Sequence, residues 1–335
     1  MNIIIPMAGM GTRMRPHTLT VPKPLIELAG KAIVHRLVEG IAGVCAEKIE
    51  EIAFVIGDFG EDVENQLVEI ANSVGAKGKI YYQKEALGTA HAVWCAAPAL
   101  KGKTVVAFAD TLFYADFKID AEVDSIIWVK KVENPQAYGV VKTNDEGVID
   151  EFVEKPKEFV SDLAIIGIYY FNDGDKLRQE LNNIVDNDIR KSGEYQLTTA
   201  LENLRLKGFK FVPGAVDEWL DCGNKDITVE THQRILARTK GAANIAKSAL
   251  ITNSVINEPC FIGENVEIEN SVIGPFVSIG DNSCVSDSII KNSIIQKETI
   301  IEDALITDSM IGNYVRFKGK KIDLSIGDYN QYEIK

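Results

Sequence analysis

Residues 260–281 read CFIGENVEIENSVIGPFVSIGD. Ile262, Ile268, Ile273 and Ile279 recur at steps of six, five and six, and three of them are followed by glycine, as Ile262-Gly263, Ile273-Gly274 and Ile279-Gly280. A helix repeats every 3.6 residues and a plain strand every two, so neither produces this spacing. A hexapeptide repeat does: each short strand turns one aliphatic side chain inward, and glycine or asparagine relieves the corner. Outward from this stretch the same step runs from Ile256 through Val285, Ile290, Ile295, Ile301 and Ile306 to Ile311-Gly312. The expectation is a left-handed parallel β-helix, whose stacked coils bury a continuous ladder of Ile and Val. It should span residues 244–327, with a tail at 328–335. The weak linker Gly241-Ala242-Ala243 sets its boundary with residues 1–240.

Towards the N-terminus the texture is α/β. Runs rich in Ile and Val at 2–6, 52–56, 79–83 and 104–109 alternate with amphipathic stretches at 32–45, 61–73 and 89–96. Alternation of this kind predicts a Rossmann-like, mostly parallel sheet covered by helices. Further strands are expected at 126–130, 139–143, 148–154 and 165–171, and helices at 175–182, 196–206 and 226–237.

The chain has 335 residues and a formal net charge of -13. That length suits about two domains. The acidity disfavours nucleic acid and anionic membranes as partners, so an anionic ligand would need locally converging Arg and Lys. Cys45, Cys95, Cys222, Cys260 and Cys284 are far apart and form no CxxC pair. This predicts reduced thiols and a cytoplasmic location rather than a zinc site or a disulfide framework. The first residues, MNIIIPMAG, lack the basic region of a signal peptide, and no apolar run reaches the length of a membrane span.

The strongest chemical signal follows the first strand: Pro6-Met7-Ala8-Gly9-Met10-Gly11-Thr12-Arg13-Met14-Arg15-Pro16, then Pro22-Lys23-Pro24-Leu25. A glycine-rich loop lets backbone N–H groups approach phosphate oxygens. It is not a Walker loop, and Met14 stands where a dinucleotide fingerprint has its third glycine. Prolines on both sides of Lys23 hold its backbone extended and aim it.

This pair of motifs closely resembles the signature of the sugar-1-phosphate nucleotidyltransferases, the nucleotide-sugar pyrophosphorylases, many of which carry a C-terminal β-helix. Within that family the chain looks closest to the glucose-1-phosphate thymidylyl- and uridylyltransferases. The resemblance implies that Ala8, Gly9, Gly11 and Thr12 bind the triphosphate and that Arg13 and Lys23 are catalytic, neutralising the reacting phosphates. The family usually has two adjacent glycines where this chain has Ala8-Gly9.

Gln83-Lys84-Glu85-Ala86-Leu87-Gly88-Thr89-Ala90 is similar to the family's base- and ribose-binding segment. There Gly88 would let the base lie on the backbone, Thr89 would also bind the nucleotide, and the Gln83 amide suits the edge of uracil or thymine. Asp110, after the strand 104–109, and Asp221, in Trp219-Leu220-Asp221-Cys222-Gly223, resemble the family's Mg²⁺ ligands; Mg²⁺ takes one or two carboxylates plus phosphate oxygens and water. Ala109 stands where the family usually has glycine. Tyr138-Gly139, Glu154-Lys155-Pro156 and the strand containing Gly167 and Tyr169 resemble its sugar-phosphate contacts, with Glu154 on hydroxyls and Lys155 on the phosphate. Gly193-Glu194-Tyr195-Gln196-Leu197-Thr198 resembles a further segment near the sugar.

The implied reaction is in-line attack by a sugar 1-phosphate oxygen on the α-phosphate of an NTP. That oxygen is already ionised, so no general base is required; the obstacle is repulsion between anions. UTP or dTTP and glucose 1-phosphate are the first expectations. Uridylyl transfer to N-acetylglucosamine 1-phosphate and guanylyl transfer to mannose 1-phosphate are the others. A catalytically silent homologue that binds nucleotide-sugar and regulates a partner is the non-enzyme alternative; it would fit loss of Arg13, Lys23, Asp110 or Asp221, and all four are present. The four histidines, His17, His35, His91 and His232, all precede the repeats. A histidine-dependent acetyl transfer in the β-helix is therefore not expected. That domain should be structural, regulatory or oligomer-forming, with a homo-oligomer expected because coil ends find partners.

Overall fold

The computed structural model describes residues 1–115, 123–239 and 244–320. The chain divides into two compact units, one made of Met1–Ile26 and Lys31–Asn224, the other of Glu27–Gly30 and Lys225–Lys335.

The first unit opens with β1 (Asn2–Pro6), α1 (Ile33–Val44), β2 (Glu51–Ile56), α2 (Glu61–Ser73), β3 (Lys77–Tyr82), α3 (Thr89–Cys95) and β4 (Thr104–Ala107). Its strands pair in parallel in the order β4-β1-β2-β3. Ile3, Ile4 and Ile5 are fully buried: a strand in the middle of a parallel sheet is covered on both faces, which is why β1 is a continuous apolar run. α1 buries Ile33, Leu37 and Ile41 at four-residue spacing, the stripe that one helix face presents to a sheet.

Beyond β4 the chain continues through β5 (Thr111–Tyr114), β6 (Ser125–Lys131), β7 (Gly139–Thr143), β8 (Ile149–Glu154), β9 (Leu163–Phe171), α4 (Gly174–Asp186), α5 (Leu197–Leu206), β10 (Phe211–Ala215) and β11 (Glu218–Asp221). The parallel strands and covering helices expected from the sequence are present, and the sheet is mixed. β9 runs antiparallel to β4, β6 and β7, and β8 antiparallel to β7, while β10 lies parallel to β6. Short connections such as 144–148 between β7 and β8 force antiparallel pairing; parallel neighbours need a crossover of about a dozen residues or more. β5 leaves the main sheet and pairs antiparallel with β11, and this two-stranded ribbon matters for the site.

In the second unit, α6 (Lys225–Arg238) is followed by three stacks of short parallel strands. Ile251, Ile268, Val285, Ile301 and Phe317 lie in register in one stack. Ile256, Ile273, Ile290 and Ile306 do so in the second, and Ile262, Ile279, Ile295 and Ile311 in the third. The expected aliphatic ladder is thus three ladders around one core, consistent with a β-helix.

The glycines act differently from the expectation. Most left-handed corners are Asn or Asp, among them Asn253, Asn270, Asp287 and Asp303. Gly263 and Gly280 are needed instead for close stacking of coils: a Cβ there would stand 2.4 Å from Asp281 Oδ1 or 2.7 Å from Lys297 N. Of the Ile-Gly pairs quoted above, Gly274 alone takes a left-handed conformation, at φ 94°.

The segment Gly241–Ala243, the end of the β-helix near Gly327 and the tail 328–335 lie outside the described residues. No described helix is long and apolar enough to cross a membrane.

Candidate active site

The glycine loop leaves the end of β1 and turns back at Gly11, whose φ of 57° lies in the left-handed region. A Cβ on Gly11 would stand 3.0 Å from Lys23 Cβ and 3.1 Å from Thr18 Cγ2, so glycine here lets the loop close onto the segment that carries Lys23. Thr18 Oγ1 donates to the Gly11 carbonyl at 2.8 Å and pins the turn. At Gly9 a side chain would meet nothing within 4 Å, which leaves the backbone open to a ligand. Lys23 is not extended as its flanking prolines suggest: it starts a single 3₁₀ turn, closed by the Leu25 N–H donating to the Pro22 carbonyl and the Ile26 N–H to the Lys23 carbonyl.

Ala8, Gly9, Gly11, Thr12, Arg13, Lys23, Gln83, Gly88, Thr89 and Asp110 all line one cleft of about 370 Å³ in the first unit. Every residue expected to bind the nucleotide is therefore on its wall. Lys23 Nζ reaches Asp110 Oδ2 at 2.6 Å, and the Lys23 side chain is only 12% exposed.

Asp110 and Asp221 are 111 residues apart in sequence and are brought together by the β5–β11 ribbon. Asp221 pairs with Thr111 in its register, and the Cys222 N–H donates to the Asp110 carbonyl at 2.9 Å. Burial and then the neighbouring Asp110 charge push the Asp221 carboxyl up, against the pull of Lys23 and Arg13. Gly223, which also lines the cleft, completes the corner: a Cβ there would stand 3.1 Å from both Asp221 carboxylate oxygens and 3.5 Å from Arg13 Nη2. Among the described residues no group of three or more His, Cys, Asp or Glu is placed to hold a metal. Two crowded carboxylates, one of them partly desolvated, fit Mg²⁺, which fills its remaining positions with phosphate oxygens and water. Asp110 and Asp221 are the residues that would hold it.

The base-side segment departs from expectation in one respect. Gly88 has φ 112°, and a Cβ on it would lie 2.5 Å from the Tyr195 carbonyl oxygen and 2.9 Å from Tyr195 N. Its missing side chain is required by the protein itself, which docks residues 194–197 onto 87–90. The Tyr195 N–H donates to the Leu87 carbonyl at 2.9 Å, the Ala90 N–H to the Tyr195 carbonyl at 2.8 Å, and the Leu197 N–H to Thr89 Oγ1 at 3.0 Å. Gln83 is likewise engaged. Its Nε2 donates to the Gly88 carbonyl at 3.1 Å and lies 3.1 Å from His91 Nδ1. Both amide hydrogens are thus directed at protein atoms, and the acceptor Oε1 is what Gln83 has left for a ligand.

The residues expected to hold the sugar phosphate, Tyr138, Gly139, Glu154, Lys155, Gly167 and Tyr169, do not line this cleft. Several are grouped around Glu154. Gly139 and Glu154 face each other across the β7–β8 pair, and a Cβ on Gly139 would stand 3.0 Å from Glu154 Oε2. Burial pushes the Glu154 carboxyl up; Lys155 and the Thr198 hydroxyl pull it down. Lys155 takes a left-handed φ of 43°, with Nζ 4.0 Å from Glu154 Oε1 and its side chain 67% exposed. Gly167, at φ 87°, sits at the register break in β9 and accepts from the Phe108 N–H at 2.9 Å. Tyr169 is buried in the core, and that burial, with Glu154 nearby, pushes its phenol well up.

Tyr138 packs edge-on against Trp219, ring centroids 5.1 Å apart, with Asp221 on the same strand as that tryptophan. Sequence reasoning did not select Trp219, Thr198 or Glu194, although all three sit inside quoted motifs, and it reads His91, three residues after Gly88, as structural rather than catalytic.

Residues 2–238 match the family model described as nucleotidyl transferase. The chain is similar to a glucose-1-phosphate thymidylyltransferase of Streptomyces antibioticus, 28% identical over 324 residues, 90% of this chain and 88% of that protein. It is also similar to the bifunctional protein GlmU of Methanococcus vannielii, 30% identical over 325 residues, 90% of this chain and 75% of that protein. Among solved structures, a UDP-glucose pyrophosphorylase complexed with UDP-glucose superposes with a TM-score of 0.57 at 24% identity, covering 71% of this chain and 98% of that one. That last likeness bears on the fold alone. The family match runs over most of the chain and includes every residue of the cleft, so the chain belongs to the nucleotidyl transferase family, among its sugar-1-phosphate nucleotidyltransferases.

Proposed function

We propose that this enzyme transfers a nucleotidyl group from UTP or dTTP to glucose 1-phosphate, releasing pyrophosphate and forming a nucleotide-sugar. The observation that carries the reading is the convergence of the open glycine loop, Arg13, Lys23 and Asp110 on one cleft, in a chain that is otherwise strongly acidic. In this reading Arg13 stabilises the departing pyrophosphate and Lys23 the α-phosphate. Lys155, exposed and next to Glu154, receives the sugar phosphate, and Glu154 accepts from sugar hydroxyls. Asp110 and Asp221 hold Mg²⁺, which when bound supplies charge neutralisation at the phosphate oxygens. Lys23 must part from Asp110 as the triphosphate enters, exchanging one anionic partner for another. No proton transfer is needed, since the attacking phosphate oxygen is ionised at neutral pH; positioning and cations carry the acceleration.

The lone acceptor of Gln83 supports uracil or thymine, whose N3–H is a donor. The glucose-1-phosphate thymidylyltransferase among the relatives supports glucose 1-phosphate as the first sugar to test. Pyrophosphate release should be measured with purified protein and Mg²⁺ over four NTPs and several sugar 1-phosphates, N-acetylglucosamine and mannose 1-phosphates included. Release with UTP or dTTP and glucose 1-phosphate is expected. Release with another pair reassigns the substrates, and no release despite NTP binding removes the catalytic reading.

A further inference from the structure

We propose that His91 is a positioning residue for base selection: it holds the Gln83 amide so that only its oxygen is offered to the nucleobase. The inference rests on the reading of Gln83 as the base contact and adds the group that orients it.

The argument begins with the carbonyl of Gly88. A backbone carbonyl can only accept, so the Gln83 amide atom 3.1 Å away must be the donor Nε2. This fixes which way round the amide lies on chemical grounds. The second hydrogen of Nε2 then points at His91 Nδ1, also at 3.1 Å. Nδ1 can receive it only if it carries no proton, which defines His91 as neutral with its hydrogen on Nε2. Gln83 Oε1 accepts from no protein group among the described residues, and Gln83 lines the nucleotide cleft.

A lone acceptor matches a base whose ring nitrogen carries hydrogen, as uracil, thymine and guanine do. It opposes the bare ring nitrogen of cytosine or adenine. Without His91 as acceptor, nothing but the Gly88 carbonyl resists rotation of the amide, and a rotated amide presents a donor that suits cytosine.

The imidazole is itself held. Its ring stacks with Trp94, centroids 5.6 Å apart, and with Tyr195, centroids 6.2 Å apart, at interplanar angles of 27° and 26°. Trp94 Nε1 donates to Asn182 Oδ1 at 2.9 Å. The Tyr195 hydroxyl donates to Asp188 and accepts from Arg190 Nη2. The titratable and charged groups facing His91 are Cys95 on its own helix, with Sγ 3.9 Å from Nδ1, then Glu85 before the helix, Arg190, and Tyr195 on the docked segment. Burial chiefly holds the imidazole below its usual value; Glu85 opposes this and Arg190 adds to it. The neutral ring that the geometry demands is therefore the one present at neutral pH.

The test is binding, independent of turnover. Dissociation constants of UTP and CTP are measured by calorimetry with the full chain and Mg²⁺, for the wild type, Gln83→Ala, His91→Leu and His91→Asn. The wild type is expected to prefer UTP. His91→Leu should lower the UTP-to-CTP preference by about tenfold. His91→Asn, which keeps a carbonyl acceptor near Nδ1 and cannot titrate, should restore it. From about pH 8 to about pH 5 the wild-type preference should fall at the acid end, as Nδ1 gains a proton, and the His91→Asn preference should stay level. A wild-type preference in His91→Leu overturns the proposal. If Gln83→Ala keeps the preference, the base-contact reading fails first, and with it this inference; a loss in Gln83→Ala but not in His91→Leu removes the positioning role alone.

Discussion

Lys23 Nζ and Asp110 Oδ2 stand 2.6 Å apart across 87 residues of sequence, with the lysine side chain nearly buried. Under the proposed function each is wanted elsewhere during the reaction, the lysine by a phosphate and the aspartate by Mg²⁺. Replacing Lys23 with Ala should lower kcat by about 10²–10³-fold. Steady-state pyrophosphate release measures this; near-normal turnover would remove Lys23 from the chemistry.

Asp221 should show function opposing stability. Burial and the Asp110 charge raise its carboxyl above the usual value of 3.8. The folded state then binds more protons than the unfolded one in the window above that value, so stability falls as pH rises through it. Asp221→Asn removes this cost. We expect the variant to have a higher Tm than the wild type at neutral pH without Mg²⁺, no gain in Tm when Mg²⁺ is added, and little turnover. A lower Tm in thermal denaturation would contradict the account.

Glu154 offers a pH test of sugar binding. Burial raises its carboxyl against the pull of Lys155 and Thr198, so it gains its proton sooner than an exposed glutamate on acidification. The KM for sugar 1-phosphate should rise as pH falls through that raised value. In Glu154→Gln it should be higher throughout and flat over the same range; parallel profiles for the two proteins would refute the role.

Gly88→Ala forces a side chain into a φ of 112° and against the Tyr195 backbone at 2.5 Å. A loss of about 2–4 kcal/mol in urea unfolding is expected, with weaker NTP binding, because the docked segment must move. An unchanged midpoint would show that 194–197 is not held by this contact.

Within the β-helix, Ile290 is fully buried in the second ladder, whereas Leu305 is 81% exposed. Ile290→Ala should cost about 2–5 kcal/mol, and Leu305→Ala should stay within about 0.5 kcal/mol. Denaturant melts of the two variants compare them directly.

These contrasts show what could be read from the chain. The inward isoleucines announced themselves because a five- or six-residue step has one structural explanation, and the glycine loop because its residues are contiguous. The Asp110–Asp221 pairing depends on the β5–β11 ribbon, whose strands are over a hundred residues apart, so local pattern could nominate both acids but not bring them together. The antiparallel half of the sheet was hidden because a buried strand looks alike in either direction. Gly88 and Gly263 were legible as glycines but not as to purpose. What excludes their side chains is backbone or a neighbouring coil supplied by a remote segment. His91 was legible as a structural residue but not by its contact, since the Gln83 amide becomes its neighbour only in the folded chain.

The three ladders impose an arithmetic on the length of the second unit. Ile268 lies beneath Val285, and Val285 beneath Ile301, so one coil occupies 17 or 16 residues. Each coil pairs only with those directly above and below it. Removing or duplicating a whole coil leaves every surviving inward side chain facing inward, and the 17- and 16-residue coils show that a corner absorbs one extra residue, whereas an extra residue inside a strand turns the rest of that strand's inward side chains out of the core. The unit can therefore gain or lose whole coils by copying, with small differences in coil length taken up at the corners.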